Sequence, residues 1–343
     1  MLVGRICRKN KIISCRYRHY NIGGIFPVKK LLLQKDIWMK KSEKEKQQML
    51  GLKRGTVQLY EHEQAWEIEA QNTIFRLKEI LGGVIKEIQH VGSTSILTIK
   101  AKPIIDIAVA VDSFEAVLQF EEEMKKQGFY YRPKVDLGEQ LLFASGSYYD
   151  GTGEFQTHFI HVVKTGSMDW RNYINFRDYL NNTPAVAKEY EKLKVTLVKQ
   201  APVDNEREKY SEGKHDFIVY TLRKALVYSY LGKVVNLVID RPIGSIHPKY
   251  EDFVYSLNYG FIPGVYGGDG EELDAYLIGL DFPVKEYKAK IIAIVHRHND
   301  AEDKLVAAPE DMHYTKSEIE NAVRFQEQYF ESEVEVLCNC SKI

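Results

Sequence analysis

An acidic loop near the C-terminus carries residue types that bind divalent cations. Residues 268–275 read Gly-Asp-Gly-Glu-Glu-Leu-Asp-Ala, so Asp269, Glu271 and Asp274 lie close together just before an apolar strand. Hard cations such as Mg²⁺ prefer oxygen ligands, which proteins supply as a few carboxylates completed by substrate phosphate. An acidic, glycine-containing segment between two strands can also be an ordinary solvated hairpin loop. The residues themselves leave both interpretations open, a metal site and a surface turn.

A second acidic cluster follows further along the chain, where Asp300, Glu302 and Asp303 precede Lys304. Carboxylates hold a metal ion, and a lysine beside them can pair with the phosphate groups that such an ion also binds. The two clusters together indicate a metal–phosphate site in the C-terminal part of the chain.

A third motif lies in the N-terminal half. Residues 90–95 read His-Val-Gly-Ser-Thr-Ser, and Lys102 and Asp106 follow beside an apolar strand. A Gly-Ser turn can meet phosphate oxygens, and carboxylates two residues apart on a strand share one face and can share a metal ion. The second carboxylate position is Ala108 here, so Asp106 stands alone. A plain turn beside a solvated lysine is the alternative interpretation.

Alternating helix and strand patterns must position this third motif. Apolar spacing and capping residues predict helices at residues 66–81, at residues 113–124 and from residue 183 onward, and strands at residues 88–91, 103–111, 141–144 and 155–163. His158 and His161 lie three apart on the last strand and should face opposite sides, so only one is expected in the site. Tyr210, Lys214 and Phe217 have the spacing of one helix face.

The segment from about residue 231 to residue 335 resembles the soluble, Mg²⁺-dependent inorganic pyrophosphatases, which fold as a small β-barrel. Residues 269–275 match the family signature except at Glu271, where the family carries Asp. Residues 255–262 resemble the family's tyrosine-rich strand and turn, and residues 299–309 resemble its second metal-binding segment. The resemblance implies pyrophosphate as the substrate, Mg²⁺ or Mn²⁺ as the cofactor and a tendency to form homo-oligomers.

The same resemblance implies a role for each matching residue. Tyr255 would bind substrate, and Glu271 would stand where a carboxylate helps to deprotonate the attacking water. The metal ligands would be Asp269, Asp274, Asp300 and Asp303, and the catalytic residues would be Glu271, Asp274, Lys304 and Tyr259.

Residues 53–220 resemble the GrpB-like family. The resemblance rests on the His90 to Ser95 motif, the Lys102 to Asp106 segment, the two histidines and the downstream aromatic and basic residues. It implies a nucleotidyltransferase-like fold with no settled reaction. It also implies Asp106 as a metal ligand. The residues that would bind a phosphate or nucleotide are Gly92, Ser93, Lys102, His161 and Lys214.

These patterns predict an α+β protein of two domains. The chain is long enough for each domain to bury its own hydrophobic core. The two resemblances imply a nucleotidyltransferase-like mixed sheet with helices over residues 47–226 and a small pyrophosphatase-like β-barrel with a C-terminal helix over residues 229–337. A net charge of −1 argues against nucleic-acid binding driven by bulk charge. The sequence has no apolar run that approaches the ~20 residues required to span a bilayer, so no membrane partner is expected.

Residues 1–46 form a basic segment that we expect to be disordered. It is either a targeting arm or a stretch upstream of a translation start at Met39, and the second interpretation is favoured. The four cysteines all lie near the termini, and free thiols of a cytoplasmic protein explain them better than a metal site does.

Two functions remain in competition. In the first, the C-terminal domain hydrolyses pyrophosphate and the N-terminal domain binds or transfers a nucleotide. In the second, both domains bind phosphate compounds or metal as a sensor without turnover. The second is motivated by Ala108, by the longer Glu271 and by Asn236, which stands where the pyrophosphatases carry a lysine of their phosphate clamp.

Overall fold

The computed structural model describes residues 50–135, 138–200, 206–267, 270–300 and 302–337. The predictions for residues 1–46, for the four cysteines and for Asp269 fall outside these ranges. The helices are α1 (Gln64–Leu81), α2 (Phe114–Leu118), α3 (Glu121–Lys126), α4 (Ser147–Asp150), α5 (Met168–Asn182), α6 (Pro184–Gln200), α7 (Glu206–Glu212), α8 (His215–Tyr230) and α9 (Lys316–Glu327). The strands are β1 (Leu52–Lys53), β2 (Ile85–Val91), β3 (Ile105–Val111), β4 (Tyr130–Tyr131), β5 (Leu141–Ser145), β6 (Phe155–Gln156), β7 (His158–Lys164), β8 (Val234–Arg241), β9 (Ile246–His247), β10 (Tyr250–Val254), β11 (Asn258–Tyr266), β12 (Glu272–Leu277), β13 (Glu286–Arg297), β14 (Lys304–Ala308) and β15 (Ser332–Val336).

The N-terminal half is built on a five-stranded mixed sheet in the order β2-β3-β7-β5-β4. Strands β3 and β7 pair in parallel, and the other neighbours are antiparallel. Helix α1 packs its apolar side, including Trp66 and Leu77, on one face of the sheet. Trp170 of α5 packs against Val91 and Ala108 on the other face. Because both faces are covered, every side chain of β3 is buried except that of Asp106, which is half-buried.

The C-terminal half is a closed barrel. Strands β8, β11, β12, β14 and β13 pair in a ring, and the pairing of β13 with β14 closes it. Strands β12 and β14 run parallel with Ala275 opposite Leu305, which places the preceding residues, Asp274 and Lys304, side by side. Helix α9 begins at a capping box in which Thr315 and Glu318 satisfy each other's backbone N–H groups. These features confirm the predicted mixed sheet followed by a small barrel and a helix.

Helix α8 connects the two halves. Its residue Val227 belongs to the core of the barrel, and its N-terminal residues Phe217 and Ile218 pack with Leu180 of the first half. The chain from Leu50 onward groups as one compact unit. Within the described ranges, no helix combines the length and apolar character that a membrane crossing requires.

Two helix predictions need correction. The helix predicted over residues 113–124 divides into α2 and α3, with Phe120 packed against the core at the division. The single helix face predicted for Tyr210, Lys214 and Phe217 does not exist, because α7 ends at Glu212 and α8 begins at His215. Gly213 lies at this break, and glycine commonly ends a helix.

Candidate functional site

A buried lysine joins two carboxylates in the C-terminal half. The Lys304 ammonium lies 2.5 Å from Oδ2 of Asp274 and also pairs with Glu302. The Tyr259 hydroxyl donates a hydrogen bond of 2.5 Å to the same Asp274 oxygen. Only 7% of the Lys304 side chain is exposed, against 27% of that of Asp274, so the carboxylate is the part of the group that solvent can reach.

The charges of this group reinforce one another. Burial disfavours the charged ammonium of Lys304, but the attraction of Asp274 and Glu302 outweighs it and raises the lysine's pKa. Burial, with the negative charge of Asp274, raises the pKa of Tyr259 well above its usual range. Lys304 is therefore a cation and Tyr259 a hydrogen-bond donor at neutral pH.

Glu302, which the sequence places in the second acidic cluster but to which the resemblance gives no role, takes its place beside Asp274 through alternation along an extended segment. Side chains two residues apart on an extended segment share a face, so Glu302 and Lys304 point the same way and Asp303 points to the other side. Gly267 accommodates this placement, since a Cβ there would lie 2.7 Å from Cδ of Glu302. Alternation was the signal that could have identified Glu302 from the sequence.

Asp303 is engaged by cations on the opposite side. Lys224 of α8 donates to both of its carboxylate oxygens at 2.7 and 2.8 Å, and Nδ1 of His296 lies 2.8 Å from Oδ2. Burial would raise the pKa of Asp303, but these partners outweigh it and lower the pKa. Asp300 is likewise held by Arg297, whose Nη1 lies 2.8 Å from its Oδ2. The structure thus joins Asp303 and Asp300 to basic side chains rather than to Asp274.

The donor types around Asp274 suit a hard cation, although a complete ligand set is not present in the described part of the chain. Among those residues, no group of three or more His, Cys, Asp or Glu side chains is arranged to hold a metal ion. Asp269, predicted as a ligand, lies outside them. Glu271 lies at the end of the same loop with an exposed side chain, and its carbonyl oxygen accepts a hydrogen bond from the Gly267 N–H at 2.7 Å.

An arginine lies near the predicted substrate tyrosine. Tyr255 is buried and packs against the Tyr259 ring, with 5.7 Å between ring centroids. Burial raises the pKa of Tyr255, and the nearby Arg241 opposes this shift. Arg241 ends β8 and pairs with Asp240 at 2.6 Å. The barrel therefore has a cation close to its tyrosines that the sequence motifs do not identify.

The N-terminal half brings Gly92, Asp106 and His161 together. Gly92 has a φ of 71°, and a Cβ at this position would lie 2.8 Å from Cγ of Asp106. Nε2 of His161 lies 3.6 Å from Oδ1 of Asp106, and its Nδ1 lies 3.0 Å from the Tyr173 hydroxyl. Ser93 begins the short turn that follows Gly92. A narrow polar site is therefore formed where β2 ends beside β3.

His158 lies elsewhere, as its spacing from His161 predicts. Its Nε2 is 3.5 Å from Oε1 of Glu69 on α1, whereas His161 faces Tyr173 on α5. The two histidines consequently serve different faces of the sheet.

A buried hydrogen-bond chain holds the Gly-Ser turn. Glu67 Oε2 lies 3.0 Å from Nδ1 of His90, Nε2 of His90 lies 3.0 Å from the Thr94 hydroxyl, and that hydroxyl donates to the Ile104 carbonyl at 3.2 Å. Thr94 is completely buried, so its hydroxyl has a structural role. It fixes the turn relative to the segment that precedes β3.

The lysines predicted at this site gather around one tyrosine. Nζ of Lys102 lies 4.7 Å and Nζ of Lys214 lies 4.6 Å from the centroid of the buried Tyr210 ring. Lys194 of α6, which the sequence does not single out, is only 1% exposed and donates to the Lys100 carbonyl at 2.5 Å. The sequence offers no signal for Lys194, because it lies in an ordinary amphipathic helix.

Replacing Gly92 with alanine should damage the N-terminal site. The new Cβ would overlap Asp106 at a φ that L-residues rarely adopt, and we expect a loss of about 1–3 kcal/mol in the free energy of unfolding. Urea unfolding followed by tryptophan fluorescence would measure it. Gly166→Ala is the matched control, because Gly166 has a φ of 68° and no atom within 4 Å of the added Cβ. Equal losses in the two variants would mean that the contact with Asp106 has no energetic effect.

Two family models match the chain. The model described as GrpB protein matches residues 56–224, and the model described as Inorganic pyrophosphatase matches residues 228–335.

Individual relatives divide between the same two regions. The Glutamate-rich protein GrpB of Alkalihalophilus pseudofirmus is 39% identical over 171 residues, which cover 50% of this chain and 96% of that protein. The crystal structure of the conserved protein GrpB from Enterococcus faecalis is 27% identical, with a TM-score of 0.44, and the match covers 50% of this chain and 99% of that one. The crystal structure of an inorganic pyrophosphatase from Ehrlichia chaffeensis is 21% identical, with a TM-score of 0.26, and the match covers 31% of this chain and 87% of that one. The chain therefore belongs to the GrpB family, and its GrpB domain is fused to a pyrophosphatase-like domain.

Proposed function

We propose that the barrel hydrolyses inorganic pyrophosphate with the help of Mg²⁺ and that the GrpB domain binds a nucleotide. The observation that carries the proposal is the group of Asp274, Glu302, Lys304 and Tyr259. It combines carboxylates that can hold a cation with a lysine and a tyrosine that can contact phosphate oxygens.

Each residue of the group around Asp274 has a role in this proposal. Asp274 and Glu302 would hold Mg²⁺ together with Asp269, and Glu302 takes the place that the resemblance gives to Asp303. The cation would neutralise phosphate oxygens and lower the pKa of a water molecule. Lys304 would exchange part of its contact with the carboxylates for a contact with phosphate. Tyr259 keeps the Asp274 carboxylate in one orientation by donating to it.

The GrpB domain would supply the complementary step. Asp106 would hold a metal ion, and the turn at Gly92 and Ser93 would receive the phosphates of a nucleotide, with His161 beside them. A nucleotidyl transfer releases pyrophosphate, so its hydrolysis in the same chain would draw the transfer forward. The motivation for this coupling is the presence of both domains in one polypeptide.

Binding without turnover is the second candidate, and one observation favours it. Lys304 pairs with both Asp274 and Glu302, and Lys224 pairs with Asp303. A carboxylate paired with a buried lysine binds a divalent cation less readily, because the cation must compete with the ammonium. A sensor that responds to high metal or pyrophosphate concentrations would have this property.

Phosphate release from pyrophosphate by the full chain tests the proposal. We expect release in Mg²⁺ or Mn²⁺ and none above background in EDTA. Release that is equal with and without metal would overturn the hydrolase proposal. Metal-dependent binding of pyrophosphate by calorimetry, without release, would establish the second candidate instead.

A further inference from the structure

Three lysines from different segments converge on a pair of buried tyrosines in the GrpB domain. Lys102 precedes β3, Lys194 lies on α6, and Lys214 lies at the start of α8. The ammonium groups of Lys102 and Lys214 lie against the Tyr210 ring, and that of Lys194 lies 4.6 Å from the centroid of the Tyr190 ring. Aromatic ring faces attract cations, so the two tyrosine rings help to hold the three ammonium groups close together.

The group adjoins the polar site at Asp106. The charge of Asp106 is close enough to Tyr190 to help raise the pKa of its hydroxyl, although burial is the larger cause. Lys194 donates to the carbonyl of Lys100. Lys102 follows Lys100 in the segment that leads into β3, which carries Asp106. The lysines and Asp106 therefore occupy one region of the domain.

Burying Lys194 beside two further lysines is unfavourable unless an anion compensates. Burial is the largest cause of a fall in the pKa of Lys194 to about 7, Lys214 and Lys102 contribute to this fall, and Glu191 opposes it. Glu191 is itself engaged by Lys188 at 2.9 Å and by the Lys100 N–H at 2.6 Å. An ammonium that is nearly dehydrated and repelled by neighbouring cations gains much from a multiply charged anion.

We propose that Lys102, Lys194 and Lys214 form a binding site for the polyphosphate group of a nucleotide, with Asp106 and Gly92 at its edge. This proposal rests on the nucleotide binding assigned above and adds the residues that recognise the phosphates. The arrangement selects compact anions with several charges. A free polyphosphate shares this chemistry, so the test must distinguish the two sources.

The site couples binding to proton uptake. Above pH 7, Lys194 is largely neutral without ligand, and a bound polyphosphate raises its pKa by direct attraction. Lys194 therefore takes up close to one proton on ligand binding at pH 8 and almost none at pH 6, where it is already charged. The groups that face Lys194 are Lys102, Lys214, Glu191 and Tyr190, and of these only the lysines and Glu191 carry charge in this range.

Titration calorimetry on the full chain tests the coupling. The Asp274→Asn background suppresses hydrolysis in the barrel, and each titration is run with and without Mg²⁺. The four ribonucleoside triphosphates and tripolyphosphate are titrated at pH 6 and pH 8, each in two buffers with different ionisation enthalpies. We expect proton uptake at pH 8 for at least one nucleotide. Tripolyphosphate that binds as tightly as every nucleotide would overturn the assignment to a nucleotide.

Variants identify the residue that takes up the proton. Lys194→Met should lower affinity at pH 6 by about tenfold or more and should remove the uptake at pH 8. Lys192→Met, an exposed lysine on the same helix, should change neither. Lys214→Met should weaken binding and reduce the uptake, because the pKa of Lys194 then returns toward its usual value. This variant keeps the test decisive if Lys194→Met fails to fold.

The outcomes separate the two proposals. Nucleotide binding without proton uptake, or with uptake unchanged in Lys194→Met, would overturn the lysine site while leaving nucleotide binding intact. Absence of binding by any nucleotide or by tripolyphosphate would overturn both. Pyrophosphate hydrolysis by the wild-type barrel is measured separately and depends on neither result.

Discussion

Asp274→Asn is expected to reduce Mg²⁺-dependent phosphate release from pyrophosphate by a factor on the order of a hundred or more. The substitution removes the charge that faces solvent and is shared by Lys304 and Tyr259, while keeping the shape of the side chain. Lys304 would then pair with Glu302 alone. The Mg²⁺ ion would lose a ligand, and the lysine that contacts phosphate would lose the partner that positions it. The measurement is the rate of phosphate release by the full chain at saturating Mg²⁺.

The control for this variant is Asp281→Asn. Asp281 lies on an exposed segment after β12, so its loss changes the charge of the barrel equally without touching Lys304. Full activity in Asp274→Asn would show that Asp274 and its partners take no part in pyrophosphate hydrolysis. A similar loss in both variants would assign the effect to net charge instead.

Arg297→Met should cause the largest loss of stability, about 3–5 kcal/mol, because it leaves a buried carboxylate without its partner. Nη2 of Arg297 lies 2.6 Å from Glu327, and both side chains are at least nine-tenths buried. Glu327 also accepts a hydrogen bond from Tyr276, and the guanidinium lies 3.7 Å from the centroid of the Phe330 ring. The measurement is urea unfolding by far-ultraviolet circular dichroism.

Two further variants isolate the cause. The double variant Arg297→Met with Glu327→Met removes both charges and should recover most of the loss, since the uncompensated carboxylate is gone. Arg324→Met removes an exposed arginine from α9, the helix that carries Glu327, and should leave the free energy of unfolding nearly unchanged. A double variant no more stable than Arg297→Met would show that packing, rather than the charge, accounts for the effect.

Apolar periodicity was enough to predict much of the fold. The helix from Trp66 to Leu81 follows from its apolar spacing, because those residues form its buried side. The strand that carries Asp106 follows from its run of Val, Ile and Ala. The closure of the barrel could not be derived in this way, since pairing between β13 and β14 depends on the path of the whole chain, and the family resemblance supplied it.

The site was harder to predict where two neighbouring residues compete for one role. Asp303 and Glu302 are both acidic, and the choice between them depends on which face of the extended segment Lys304 occupies. Lys194 could not be found because a helix pattern does not reveal which lysine is buried by a neighbouring loop. Lys224 was hidden for a similar reason, since its partner Asp303 is distant in sequence.

The helix that joins the two halves has a consequence for how the protein unfolds. Helix α8 contributes Phe217 to the first core, Val227 to the barrel core and Lys224 to Asp303. Its loss would remove supports from both halves together, and neither could melt fully while the other keeps this helix in place. A segment that two cores share makes their unfolding cooperative. The two domains are therefore coupled thermodynamically as well as joined covalently, and a change that destabilises the barrel would also destabilise the GrpB domain.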